Sequence, residues 1–562
     1  MKAFRFFLLV TMGILTVLTG YGQDKYVVFL TDKNQNPYSV NNPLEYLSQR
    51  AIERRVKFNI PIDEKDLPVT PSYISEIAAT GAVVQYHLKW INAIVIFAPN
   101  TSILNAVAAL SFVDHISPGS KAHSPLGQGA SAVQQIGAIP PHTTGSPLLA
   151  SFPKSTGTMD YGAAWNQVSM IGLHHLHDLG YTGQGIMIAV LDAGFWDVEQ
   201  GPAFSYLWQN NLIAGTRDFA TTGGNVFQNH THGESVLSVL GANVPGQIIG
   251  TAPDATYWLI RTEDAWGGEY LLEEYNWQAG AELADSAGAD ILTSSLAYTT
   301  YDNASYNHSY SDLDGNTTPI AIASDIAASR GILVVNCQGN LGEDPWHYLS
   351  TPADGDSVFS VGAVNEAGFY QEFSGKGPSA DGQIKPDVCA QGYNTAIIYG
   401  NNTLTTGTGT SFSTPIISGA MACLWQSIPT ASAQDILTNV RLTASNSSFP
   451  NNKTGWGVPD MMAARNRLIL YTNITQNTKS QAFALIQNPF ENVPIIRVDG
   501  ELNQPFAVEI YSANGALLHC SPVEAHVAGQ IELPVFSAFP QGLYLIRLSS
   551  SDCSTTLRAI KN

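Results

Sequence analysis

Charge is scarce in this 562-residue chain: 13% of residues are charged, and 26 lysines and arginines face 46 aspartates and glutamates, for a formal net charge of −20. Partners that reward clustered basic residues, nucleic acid and anionic lipid surfaces, are excluded by that balance. Cysteine is scarce as well. Five are present, with no Cys-x-x-Cys pair, so neither a disulfide framework nor a thiolate zinc site is expected. Cys337, Cys389 and Cys423 lie in apolar contexts, where a cysteine behaves as a small buried hydrophobe, and the sequence leaves open whether Cys520 and Cys553 pair. Long apolar runs are absent beyond the start of the chain. The stretch Phe6 to Leu18 is short for a span of about 20 residues. With Lys2 and Arg5 before it and Gly20-Tyr21-Gly22 after it, residues 1–22 read as a secretory signal peptide.

Apolar residues are plentiful, at 44% of the chain, and their pattern changes along it. Residues 23–118 carry strand signals at Tyr26 to Leu30, Ala82 to Tyr86 and Ala93 to Phe97, with helices expected over Pro43 to Arg55 and Ser102 to Leu110. This is an α+β block. Residues 119–160, rich in Gly, Ser, Pro and Ala, read as an exposed linker open to proteolytic processing. Residues 161–465 alternate apolar strands with helical segments, the pattern of a doubly wound α/β domain with a parallel sheet covered on both faces. Residues 480–562 turn to short strands separated by turns such as Asn514-Gly515, which predicts a small β-sandwich.

Three residues of the central block stand in contexts that suit one another. Asp192 ends the apolar run from Ile186 and is delivered at a strand tip. His232 opens a helical run, His232 to Leu240. Ser411 lies in Gly407-Thr408-Gly409-Thr410-Ser411 and precedes a helix body, Pro415 to Ala422, whose first-turn N–H groups and positive dipole end favour developing negative charge. A serine hydroxyl needs a base, and the base needs a carboxylate to orient it. Asn340 follows the run Ile332 to Gly339, again at a strand tip, and offers a side-chain donor. The order Asp, His, Ser and these contexts resemble a subtilisin-like serine protease of the subtilase family.

The resemblance implies a subtilisin-like fold and a serine endopeptidase that forms an acyl-enzyme. Asp192, His232 and Ser411 would be the triad, Asn340 an oxyanion donor, and Ser295, Leu296 and Ala297 the wall along which a protein or peptide substrate pairs. Gly250 to Pro253, Phe373 to Pro378 and Ile384 to Val388 resemble further subtilase segments. Two positions depart from the family pattern: Glu234 replaces threonine after His-Gly, and Ala193 follows the aspartate where serine or threonine is common. The block 23–118 resembles an inhibitory propeptide. The block 480–562, through Asn488-Pro489-Phe490, Asn514-Gly515, Gly542-Leu543-Tyr544 and the basic end Lys561-Asn562, resembles a type IX secretion sorting domain. A secreted or outer-membrane monomer that travels through the periplasm follows, with the type IX machinery as a partner and no organic cofactor.

Rival readings are weaker. An esterase would place its serine first and in Gly-x-Ser-x-Gly, where Ser413 here replaces the second glycine. A catalytically silent adhesin on the same fold would have no use for the three side chains. His230 lacks the His-Gly context of His232. His174, His175 and His177 read as a solvated helix face, and Asp312 to Asn316 as a polar turn without the terminal glutamate of a calcium loop. Gly183-Gln184-Gly185 reads as a loop and not a phosphate cradle.

Overall fold

A computed structural model describes residues 24–120, 159–477, 483–498, 506–512, 516–523, 529–549 and 554–562. The expected signal peptide, almost all of the linker, the Asn514-Gly515 turn and Cys553 lie outside these residues. Labels below cover the elements that position the site.

The first block is an antiparallel sheet of β1 (Asp24–Leu30), β2 (Val83–Leu88), β3 (Ala93–Ala98) and β4 (Val113–Ser120), in the order β2-β3-β1-β4. Its helices are α1 (Gln49–Lys57), α2 (Pro71–Ala79) and α3 (Thr101–Ala108). The expected helix from Pro43 is split. A single 3-10 turn covers Pro43–Glu45, and α1 starts afresh where the Ser48 side chain accepts the Ala51 N–H. The unbroken apolar run of β3 has a physical reason in the two faces of this sheet. Ile94 and Ile96 pack with Val28, Ile77 and Val107 in the block's own core. Ala93 and Val95 join Val27, Tyr86 and Trp90 in a core shared with the next domain. With both faces buried, both side-chain sets are apolar.

That next domain holds a seven-stranded parallel sheet. Its strands are β5 (Met187–Asp192), β6 (Ile213–Asp218), β7 (Thr256–Arg261), β8 (Ile291–Ser294), β9 (Leu333–Cys337), β10 (Val358–Val364) and β11 (Val388–Gln391). The order is β11-β10-β9-β8-β5-β7-β6, with every pairing parallel. The helices that matter are α4 (His232–Gly241), α5 (Leu272–Ala287), α6 (Pro319–Ser329) and α7 (Thr410–Ser427). One core cluster unites α4 and α7 residues with one sheet face, and the other unites α5 and α6 residues with the opposite face. The chain leaves β5 toward β6 and later crosses to β8 on the other side. The gap between β5 and β8 at their C-terminal ends is therefore a switch point, where doubly wound sheets bind ligands.

In the C-terminal region, strands Phe483–Leu485, Ile495–Val498 and Gly529–Glu532 form one sheet. Strands Leu517–Val523, Phe506–Ser512, Gly542–Ser549 and Ser554–Lys561 form a second. Phe490, Ile496, Val508, Phe536, Tyr544 and Ile546 lie in one core, an arrangement compatible with the expected sandwich.

The first block docks on α5 and α6 through a dry polar centre as well as apolar packing. Asp285, fully buried near the end of α5, takes bonds from Arg54 at 2.5 Å, Arg55 at 2.8 Å and Lys89 at 3.3 Å. These three cations outweigh burial and hold its carboxyl down at about 2. One turn earlier on α5, Glu282 accepts the backbone N–H groups of Lys89 at 2.7 Å and Trp90 at 3.0 Å. Removing one member of a buried charge set costs about 3–5 kcal/mol, because the partners stay behind unpaired. Asp285→Ala in the full chain is therefore expected to lower the thermal midpoint by roughly 6–20 °C, taking about 2–4 °C per kcal/mol. Calorimetry of the variant checks this, and a change of a degree or less contradicts it.

Candidate active site

Asp192 and His232 meet at the end of β5. The His232 Nδ1 lies 2.8 Å from Asp192 Oδ1, and both side chains are fully buried. The same carboxylate oxygen accepts the Ala193 N–H at 2.7 Å. Close approach of α4 to the strand tip requires glycine at position 233, since a Cβ there would lie 2.4 Å from the Gly194 carbonyl oxygen. His230 faces the same helix start: its Nδ1 accepts the His232 backbone N–H at 3.1 Å. That bond makes His230 a support for the helix entrance, with burial pushing its imidazole down to about 4.

Ser411 sits in the first turn of α7, which packs against the imidazole, with the Phe412 and His232 ring centres 6.0 Å apart. The turn into α7 passes through Gly409 at φ 154°, ψ 155°, a region open essentially to glycine alone. Pro415 carries no N–H for the Ser411 carbonyl four residues back. That carbonyl instead accepts the Ser295 hydroxyl at 2.9 Å. In return Ser411 Oγ donates to the Ser295 carbonyl at 3.3 Å. His232 Nε2 is buried without a hydrogen-bond partner among the described residues. The hydroxyl thus rests on Ser295, in keeping with the looseness of catalytic hydrogen bonds before substrate arrives.

Asn340 lies three residues past the end of β9. Its Oδ1 accepts both the backbone N–H and the hydroxyl of Thr410, at 2.8 and 2.9 Å. These bonds fix the amide plane beside the residue that precedes Ser411. Ser295, Leu296 and Ala297 follow β8 directly and are buried. The Leu296 carbonyl accepts Asn336 Nδ2 at 3.0 Å, so this wall is braced from β9. The structure therefore gathers Asp192, His232, Ser411, Asn340 and Ser295 at the switch-point end of the sheet. In chemical terms the grouping offers a hydroxyl, an imidazole oriented by a carboxylate, and a helix entrance rich in N–H groups.

Among the side signals, His177 corrects the expectation of a solvated face. It is buried, with Tyr161 Oη 2.8 Å from Nδ1 and the Thr251 carbonyl 3.1 Å from Nε2. Burial pushes it down to about 4. His175, on the same helix, is exposed. Asp314 Oδ1 accepts the Asn316 N–H at 2.9 Å, as a polar turn requires. Cys337, Cys389 and Cys423 are buried free thiols.

Glu234, the departure beside His232, points into the protein. Its Oε2 accepts the Gly400 N–H at 2.8 Å, while Oε1 is buried without a partner among the described residues. Burial pushes its carboxyl up to about 8 from an ordinary 4.5. Between those values the folded chain holds a proton that the unfolded chain releases, so this group's contribution to stability falls as pH rises through that window. Glu234→Gln keeps an acceptor for Gly400 and removes the ionisation. It should leave the thermal midpoint unchanged below pH ~4.5 and raise it by several degrees above pH ~8. Melting curves of the two proteins across that range decide, and an unchanged difference between them contradicts the assignment.

Residues 183–457 match the subtilase family, and residues 25–132 match the Peptidase S8 propeptide domain of Bacteroidota. A thermostable alkaline protease of Halalkalibacterium halodurans is 26% identical over 295 residues, which span 52% of this chain and 71% of that protein. Subtilisin E of Bacillus subtilis is 27% identical over 282 residues, 50% of this chain and 65% of that one. For the subtilisin of Bacillus pumilus the identity is again 27%, over 50% of this chain and 90% of that one. Among solved structures, the prenylagaramide maturation protease PagA aligns with a TM-score of 0.42 at 23% identity, over 53% of this chain and 98% of that one. The central block of this chain is a subtilase-family peptidase domain, and an S8-type propeptide domain precedes it.

Proposed function

We propose that the chain is an exported serine endopeptidase whose triad is Asp192, His232 and Ser411. The observation that carries this reading is the buried 2.8 Å bond between His232 and Asp192 beside the first turn of α7. Asp192 holds the imidazole with Nε2 as the base. For the reaction Oγ leaves the Ser295 carbonyl for that nitrogen. Proton transfer to His232 accompanies attack on the peptide carbonyl, and the imidazolium then protonates the leaving amine. Water, deprotonated by the same histidine, releases the acyl group from Ser411. Asn340 Nδ2 and the Ser411 N–H hold the oxyanion of both tetrahedral intermediates. The substrate lies extended along Ser295, Leu296 and Ala297, where main-chain pairing gives affinity without strict sequence demands. In this reading the block docked on α5 and α6 is the inhibitory propeptide, removed by cleavage in the region 119–160.

The C-terminal region is proposed as a type IX sorting domain. Three segments that suggested it meet in space. Asn488 donates to the Arg558 carbonyl at 2.7 Å and accepts the Ile560 N–H at 2.8 Å. Phe490 packs edge-on against Phe536 at 5.2 Å, and Tyr544 meets the same ring at 5.2 Å. Lys561 Nζ closes the Phe536 and Phe539 carbonyls at 2.8 and 2.7 Å. The basic end thus serves the fold of the region and does not dangle as a charged tail.

Ser411→Ala is expected to abolish peptidase activity and leave the first block attached. Asn340→Ala should lower kcat by about 10²–10³ with KM little changed, a magnitude carried over from the corresponding loss in subtilisin. Steady-state kinetics on a peptide substrate test both; near-normal turnover in either variant contradicts its assignment. Deleting residues 480–562 should leave catalysis intact and trap the enzyme in the periplasm. Fractionation of the producing cells reads this out, and normal levels of truncated protein outside the cell contradict the sorting role.

A further inference from the structure

Glu234 is fully buried and takes no part in the proposed chemistry, yet it lies two residues past His232 on α4. Its contact is with a β-hairpin in which Thr395–Tyr399 pairs antiparallel with Thr403–Gly407. Ser411 stands four residues past the end of that hairpin. Three buried side chains of α4 hold the hairpin by hydrogen bonds. Glu234 Oε2 accepts the Gly400 N–H at 2.8 Å, the Ser235 hydroxyl donates to the Ile398 carbonyl at 2.8 Å, and Ser238 Oγ accepts the Ile398 N–H at 2.9 Å.

The tip of the hairpin meets a second carboxylate. Asn401 donates its N–H to Asp197 Oδ2 at 3.3 Å, and Asp197 stands five residues past Asp192. Gly400, Asn401 and Asn402 all have positive φ, and the first two give their N–H groups to these two carboxylates. One short turn therefore fastens the segment after Asp192, the helix that begins at His232, and the hairpin that leads to Ser411.

The charge at this turn is poorly compensated. Glu234 Oε1 is buried with no partner among the described residues, and no described lysine or arginine bonds the carboxyl. Burial pushes it up to about 8; the Gly400 N–H pulls against that rise, and the charge of Asp197 adds to it. The other ionisable groups on the elements around the start of α4 are Asp192 on β5, Glu199 after it, Tyr399 in the hairpin, and His230 and His232 at the helix entrance. From α7 comes only Cys423. As a neutral acid, Glu234 keeps the Gly400 bond without a buried charge. Ionised, it is a dry anion with a second carboxylate across the turn, and its relief is to move toward water and release Gly400.

We propose that Glu234 is a positioning residue for the peptidase reaction, which holds Ser411 in register with His232 by fastening the hairpin tip to α4. The proposal rests on the triad reading above. Glu234 touches no reacting atom and acts through Gly400 and the hairpin. It does so while protonated, so turnover falls as pH rises through the ionisation of this one group.

The test is steady-state kinetics on a peptide substrate with the self-processed enzyme made from the full chain, from neutrality to pH ~10. Turnover is counted per Ser411 labelled by a fluorophosphonate, so that unfolded protein drops out of the measurement. Wild-type kcat should fall by about 10-fold or more across that range with KM little changed, within the loss that a misplacement of about 1 Å brings. Glu234→Gln keeps an acceptor for Gly400 and cannot ionise, so this fall should be absent. Glu234→Ala should lower kcat by about 10-fold already at neutral pH, and Glu234→Gln should recover most of that loss. An alkaline fall of equal size in Glu234→Gln, or wild-type kcat in Glu234→Ala, would overturn the proposal while leaving the triad intact. A wild-type protein whose Ser411 takes no label would overturn the triad reading, and the proposal with it. If Glu234→Ala does not fold, the pH profile of Glu234→Gln decides alone.

Discussion

A carboxylate and an imidazole held 2.8 Å apart with no exposure to water set the terms for everything around them. Taking such a pair out of solvent costs several kcal/mol per charge unless the geometry and the surrounding hydrogen bonds compensate. The compensation here is local and exacting. Ala193 donates to the carboxylate, His230 accepts from the helix entrance, and glycine at position 233 lets the helix come close enough. The parallel sheet supplies the rest, since its strands all end on one edge and bring Asp192, Ser295 and the approach to Asn340 to the same place. A one-residue slip of β5 against β8 would turn the carboxylate to the other face of the sheet.

Much of this was legible in the sequence because the signals are local. Asp192 closes an apolar run, His232 begins a helix, and Ser411 stands between glycines and a helix body; each context is readable within about ten residues. The structure places all three at one sheet edge. What the sequence did not reveal depends on contacts between distant segments. Nothing in the local sequence marks Arg54, Arg55 and Lys89 as one cluster until Asp285 is brought beneath them from more than 190 residues away. His177 reads as one of three histidines on a polar face, and only the arrival of Tyr161 and Thr251 shows that it is inside. Helix boundaries failed for a subtler reason: the serine cap at Ser48 competes with the proline start at Pro43, and local capping won.

The S8-type propeptide domain is joined to its neighbour in two ways that respond to different conditions. Apolar contact through Val27, Tyr86, Trp90 and Val95 carries no charge and does not respond to pH. The Asp285 cluster is electrostatic, but its burial protects it from screening. Glu282 adds specificity more than strength, since it reads two adjacent backbone N–H groups that only one loop conformation presents. Together they make a junction that resembles the inside of a domain more than a surface contact between two.

The alternation in β3 has a further consequence for this junction. Ala93 and Val95 are covered only by the neighbouring domain, while Ile94 and Ile96 are covered by the block's own helices. Cut loose, residues 24–120 would present a bare apolar sheet face to water and carry an unmatched set of cations. Such a fragment loses much of the burial that stabilises it and opens its backbone to attack. Separation would then act as a ratchet, because attack on the opened backbone would compete with the return of the released piece.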